Sequence, residues 1–89
     1  MNLELEKAFA RDFRKLKSKD LADSLSQAIK IVSEASSLHE ITNLRKLTGY
    51  KSAYRIRIGD YRTGVIIEKE TVPFVAFAHR KEIYKHFPK

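Results

Sequence analysis

The sequence predicts an α+β fold: an N-terminal strand and a helical hairpin packed on an antiparallel β-sheet, with a short helix at the end. Apolar residues recur at helical spacing between Phe9 and Ala35. They alternate at strand spacing between Ala53 and Ala78. Gly59-Asp60 and Lys69-Glu70 divide that second region into three runs, and turns this short join strands only as an antiparallel meander. With 89 residues, and without repeats or linkers, the chain reads as one domain, 1–89.

Asn2 to Glu6 alternates, with Leu3 and Leu5 on one side, and reads as a short edge strand. Phe9, Phe13 and Leu16 then mark an amphipathic helix among Arg11, Arg14, Lys15 and Lys17. Ser18-Lys19-Asp20 breaks it, and Ser18 or Asp20 can cap the next helix. That helix carries Leu21, Leu25, Ala28, Ile29, Val32 and Ala35 at helical spacing and ends near Ser36-Ser37. Leu38 to Lys51 reads as a connector, anchored by Leu44 and Leu47 and turned by Gly49.

The strands are expected at Ala53–Ile58, Tyr61–Glu68 and Val72–Ala78. Pro73 cannot donate to a ladder, so it belongs at an edge or a strand start. His79 to Phe87 is expected to be a short helix, stopped by Pro88. In this assembly the helices cover one sheet face and the other is left open. Tyr54, Ile56, Ile58, Tyr61, Thr63, Val65 and Ile67 face the helices, while Arg55, Arg57, Arg62 and Gly64 face out. Gly64 would let a ligand backbone approach closely.

Gly59-Asp60 suits a two-residue hairpin turn, which sets Arg57 opposite Arg62. Three arginines then crowd one face, and like charges opposed on a sheet are destabilising. The arrangement makes sense where something polyanionic lands. Charge placement agrees with this. Residues 1–44 hold seven basic and seven acidic side chains, and residues 45–89 hold eleven and four, which gives the whole net charge of +7. Such asymmetry points to a nucleic-acid partner. The basic residues lie mainly on strands and loops, which disfavours a membrane-surface helix. No stretch has the length of a membrane span or reads as a signal peptide, so no membrane partner is expected. The chain has no cysteine, which suits a reducing cytoplasm and removes thiolate chemistry.

His39, His79 and His86 lack a metal-ligand spacing, the glutamates do not cluster, and no glycine-rich phosphate loop is present. No metal or cofactor is therefore expected. Any chemistry must use Arg, Lys, His and Tyr. That set fits metal-free RNA cleavage, in which the 2′-hydroxyl attacks the adjacent phosphate and the protein supplies cations, a base and an acid. Arg80 suits a bidentate phosphate clamp. The imidazole of His79 suits proton transfer near neutrality, although a strand-end histidine bonded to backbone is an equal reading. Tyr84 offers a hydroxyl, although it reads equally as packing the last helix on the sheet. His39 and His86 read as solvated.

Leu44-Arg45-Lys46-Leu47-Thr48-Gly49-Tyr50, then Tyr54-Arg55-Ile56-Arg57-Ile58-Gly59-Asp60-Tyr61-Arg62, then His79-Arg80-Lys81-Glu82-Ile83-Tyr84 resemble the RelE/ParE superfamily of toxin–antitoxin toxins, on its RelE branch. The resemblance covers essentially the whole chain. It implies a toxin that enters the ribosomal A site, cuts messenger RNA there, and is neutralised by a cognate antitoxin. It also implies phosphate-binding and acid–base roles for Arg55, Arg57, Arg62, Arg80 and Tyr84. Arg45, Lys46, Lys51 and Lys81 extend the cationic surface as further RNA-binding candidates. The positions of Arg55 and Arg57 are often lysine in the best-known members. Arginine keeps its proton, so base duty falls on Tyr84 or His79. Two alternatives stay open: a ParE-like inhibitor that binds DNA gyrase, and an RNA-binding homologue of weak activity.

Overall fold

The computed structural model describes residues 1–88. Strand β1 (Asn2–Leu5) leads into helices α1 (Lys7–Arg14) and α2 (Lys19–Glu34). A 3₁₀ turn at Leu38–Glu40 follows. Then come β2 (Leu44–Lys46), β3 (Ala53–Ile58), β4 (Tyr61–Ile66), β5 (Thr71–His79) and the single-turn helix α3 (Ile83–His86). The strands form one sheet in the order β1-β5-β4-β3-β2. β1 runs parallel to β5, and the other pairs are antiparallel. No helix among the described residues is long and apolar enough to cross a membrane.

The helices form where the apolar spacing puts them. Ser18 caps α2, its Oγ accepting from the amide of Leu21 at 3.2 Å. Phe9 projects from α1 into the core and meets the ring edges of Phe74 and Phe77 at 5.4 and 6.2 Å. Leu25 and Val32 of α2 pack on Ile56, Ile58 and Val65 of the sheet. Gly59 has a φ of 59°, and the hairpin pairs Ile58 with Tyr61 and Arg57 with Arg62, as its two-residue turn requires.

Four expectations need correction. The connector contains a strand, β2, which pairs Leu44, Arg45 and Lys46 with Ile56, Arg55 and Tyr54. Three residues are too few to show a period, and polar residues at a sheet edge read as loop. The last helix is a single turn, because β5 continues through His79, which pairs with Tyr61, and the amide of Arg80 bonds Asp60 O at 2.8 Å. β4 ends at Ile66, two residues earlier than expected. The outer sheet face is not left open: Ile83 and Phe87 bury themselves on it with Leu47, Ala53 and Ala76.

β5 is interior, flanked by β1 and β4. Its Pro73 is nevertheless tolerated near the strand start, because the β4 ladder reaches only Phe74 and Pro73 faces β1 alone. The β4–β5 register slips by one residue between Gly64 and Val65, a bulge that inserts Val75. Val75 and Ala76 both join the outer cluster as a result, while Phe74 and Phe77 both reach the main core.

Candidate RNA-binding and catalytic site

β2, β3 and β4 present their outward side chains to one face. Arg45 stands opposite Arg55, and Arg57 opposite Arg62. β2 thus adds a fourth guanidinium to the three that the hairpin brings together. The ion pairs among the described residues lie elsewhere, at Arg11–Asp12, Lys19–Asp23 and Lys85–Glu82. Burial holds the Arg62 guanidinium below its ordinary pKa, and the charges of Arg55, Arg57 and Arg80 lower it further. Arg80 is solvent-exposed just past β5, near enough for its charge to act on Arg62.

Local bonds fix two of these side chains. Arg62 Nη1 donates to the carbonyls of Gly59 and Tyr61, each at 2.9 Å, and so braces the hairpin turn. Arg57 Nη2 donates to Asn43 Oδ1 at 3.3 Å, and its amide bonds Asn43 O. Asn43 adopts φ 63°, a left-handed conformation that asparagine tolerates. These side chains line a cleft of about 310 Å³ with Leu44, Arg45 and Arg55.

Tyr84, on α3, stands in the wall of an adjoining cleft that shares Arg45 and Arg55 with this one. Arg55 Nη1 donates to its hydroxyl, and the Arg55 guanidinium carbon lies 5.7 Å from its ring centre. Ile83 and Phe87, both buried, hold the single turn that carries it. The Phe87 ring lies on Gly64: a Cβ there would stand 2.5 Å from Phe87 Cγ. The expectation that Gly64 leaves room for a ligand is therefore overturned. The space belongs to Phe87, which fixes α3 and hence Tyr84.

The remaining candidates scatter. His79 pairs across the ladder with Tyr61 and shares its face, the helix-covered one, away from Arg62. Its ring meets Tyr61 edge-on at 5.4 Å, and its Nδ1 accepts from the amide of Lys81. The structure does not bring it to the arginines. Lys81 is exposed on the turn beyond β5. Lys46 and Lys51 bracket the β2–β3 turn, beside the arginine cleft rather than in it. Asn43, Tyr50 and Phe87 belong to the site without having been read from sequence. Exposed tyrosines beside a basic strand were the one available signal, for Tyr50.

Among the described residues, no carboxylate lines this cleft or the one beside it, between the β2–β3 turn and α3. Fixed guanidinium forks can bind phosphate oxygens at two points each. Tyr84 supplies an O–H group within their reach. The arrangement can hold a polyanionic strand, stabilise added negative charge at phosphorus, and offer one titratable oxygen to it.

The family described as the ParE toxin of the type II toxin–antitoxin system, parDE, matches residues 3–84. The toxin RelE3 of Methanocaldococcus jannaschii is 32% identical, over 99% of this chain and all of that protein. The chain belongs to the RelE/ParE superfamily of type II toxins. Among solved structures, the RelB–RelE antitoxin–toxin complex from Methanococcus jannaschii has a chain 29% identical to this RelE-family toxin, with a TM-score of 0.79 over 96% of this chain and 99% of that one. The archaeal RelE–RelB complex from Pyrococcus horikoshii OT3 shares the fold at 19% identity and a TM-score of 0.72, over 89% and 93% of the two chains. The YoeB dimer from Staphylococcus aureus shares it at 15% and 0.66, over 83% and 90%.

Proposed function

We propose that this RelE-family toxin is a ribosome-dependent endoribonuclease that cuts messenger RNA in the A site. The observation that supports this best is the convergence of four arginines and the Tyr84 hydroxyl on two adjoining clefts that no carboxylate lines among the described residues. The 2′-oxygen attacks the adjacent phosphorus, the bond to the 5′-oxygen breaks, and a cyclic phosphate and a 5′-hydroxyl result. Arg45, Arg55 and Arg57 hold flanking phosphates. Arg62 and Arg80 face the charge that builds at phosphorus and on the leaving oxygen. Arginine neither gives nor takes a proton here, so proton transfer falls to Tyr84, held by Arg55. No metal is needed in this scheme, since guanidinium groups supply the positive charge. The site of action is the cytoplasm.

A cognate antitoxin is the proposed protein partner. Acidic and apolar residues on it would complement the arginine face. The structures of RelB–RelE complexes support that reading. The match to the ParE toxin family favours a second one, inhibition of DNA gyrase by binding alone.

An in vitro translation reaction separates the two. Cleavage of a reporter message within codons at the A site is the expected result. Arg62→Gln and Tyr84→Phe should each slow single-turnover cleavage by about 10²-fold or more. Intact message, with gyrase supercoiling blocked, would replace the nuclease reading with the second.

A further inference from the structure

Beside the arginine cleft lies a second one, of about 470 Å³. The two share Arg45 and Arg55. Tyr50, Tyr84 and Phe87 line the second, together with Lys46. Tyr50 and Tyr84 are 48% and 58% exposed, two of the three large apolar side chains left in solvent among the described residues. Tyr84 has its place in the scheme above; Tyr50 has none.

Tyr50 is held on a built support. Leu47 is buried in the outer cluster, and its amide bonds Ala53 O at 2.9 Å. Tyr50 N then bonds Leu47 O across the turn Leu47-Thr48-Gly49-Tyr50. Gly49 occupies the third position with φ 87°, as a type II turn demands. An anchored turn thus presents an aromatic ring to solvent, next to two guanidinium groups and facing a cleft that contains a second aromatic ring. Single-stranded RNA is recognised where phosphates meet cations and unstacked bases meet aromatic rings.

We propose that this second cleft is a nucleobase subsite, in which Tyr50 stacks on the base of a nucleotide whose phosphate is held by Arg45 and Arg55. The subsite rests on the ribonuclease reading for its role in cleavage, but its ligand, single-stranded RNA, can be tested without cleavage. Stacking tolerates every base, so Tyr50 contributes affinity and register more than sequence choice.

Two measurements on the full chain test this. In the first, an unstructured oligoribonucleotide is titrated while ring-proton NMR signals are followed. The Tyr50 ring signals should move upfield, and affinity should drop about 5- to 100-fold in Tyr50→Ala but less than about 3-fold in Tyr50→Phe. Replacing the bases by abasic sites should remove the difference between wild type and Tyr50→Ala. In the second, the same variants are compared in single-turnover cleavage on the ribosome, where Tyr50→Ala should lose a similar factor and Tyr50→Phe should not. Unmoved ring signals with equal affinity of wild type and Tyr50→Ala would overturn the subsite, even with cleavage intact. Ring shifts and the affinity loss in a chain that cuts no message would keep the subsite and sink the ribonuclease reading.

Discussion

Arg55 lines both clefts: it faces Arg45 across one ladder and Gly64 across the other, and it bonds Tyr84 from its tip. On the proposed reading its neighbours divide into phosphate contacts and groups at the reacting centre, and substitutions should separate them. Arg57 lies at the exposed edge of the cleft. Arg57→Ala should weaken RNA binding uniformly across sequences and flatten the slope of log affinity against log salt by about 0.7. Filter binding at several salt concentrations measures it, and an unchanged slope would remove Arg57 from the phosphate path. Arg62 is half-buried among three other cations. Arg62→Gln should slow cleavage by about 10²–10³-fold. Stability should shift by less than about 1 kcal/mol, because losing two bonds to turn carbonyls is offset by relief of repulsion. Equal losses of melting temperature and activity would make Arg62 a structural residue.

α3 is too short to hold itself together, since a single turn lies below the length at which helices are stable alone. Its position comes from Ile83 and Phe87 on the outer sheet face, with Phe87 seated on Gly64. Gly64→Ala should therefore act at a distance. The added methyl collides with the Phe87 ring, at a cost of about 1–3 kcal/mol, and displaces the turn that carries Tyr84. Cleavage should fall at least 10-fold at temperatures where the variant is still folded. Phe87→Leu in the same chain should recover part of both losses, since the smaller side chain makes room for the methyl. Thermal melts and single-turnover rates on the two single variants and the double variant check this. Strictly additive effects would mean that the Gly64–Phe87 contact does not set the position of Tyr84.

At the scale of the whole molecule, the +7 charge belongs to residues 45–89, and Arg45, Arg55, Arg57 and Arg62 of that stretch share one sheet face, where they repel one another. Burial first, and then the charges of Arg55, Arg57 and Arg80, lower the pKa of Arg62, so its protonated form is less stable in the folded chain than in the unfolded one. The sign is a destabilisation, present below the lowered pKa and relieved as pH rises through it, a window that an arginine reaches only under alkaline conditions. Ionic strength is the practical probe. Raising salt from 50 to 300 mM should raise the melting temperature of the free protein by roughly 2–8 °C, the equivalent of about 0.5–1 kcal/mol in a domain of this size. RNA affinity should fall over the same range. A melting temperature that drops with salt would show that attractive pairs, not the arginine cluster, dominate the electrostatics of the fold.

Sequence by itself determined the elements whose signal is local. The Phe9 and Leu25 helices, the Gly59-Asp60 turn and the opposition of Arg57 to Arg62 follow from periods and turn chemistry acting over a few residues. The motifs Tyr54–Arg62 and His79–Tyr84 also made the superfamily legible. Only the tertiary structure decided what depends on contacts between distant segments. It made Leu44–Lys46 an edge strand that adds Arg45 opposite Arg55. It extended β5 to His79 and turned that imidazole to the helix side, because pairing with Tyr61 fixes which face each residue takes. It also covered Gly64 with Phe87, 23 positions away in the chain. Short polar strands, strand ends and a one-turn helix carry too little local free energy to declare themselves in sequence; each is held in place by the sheet it joins.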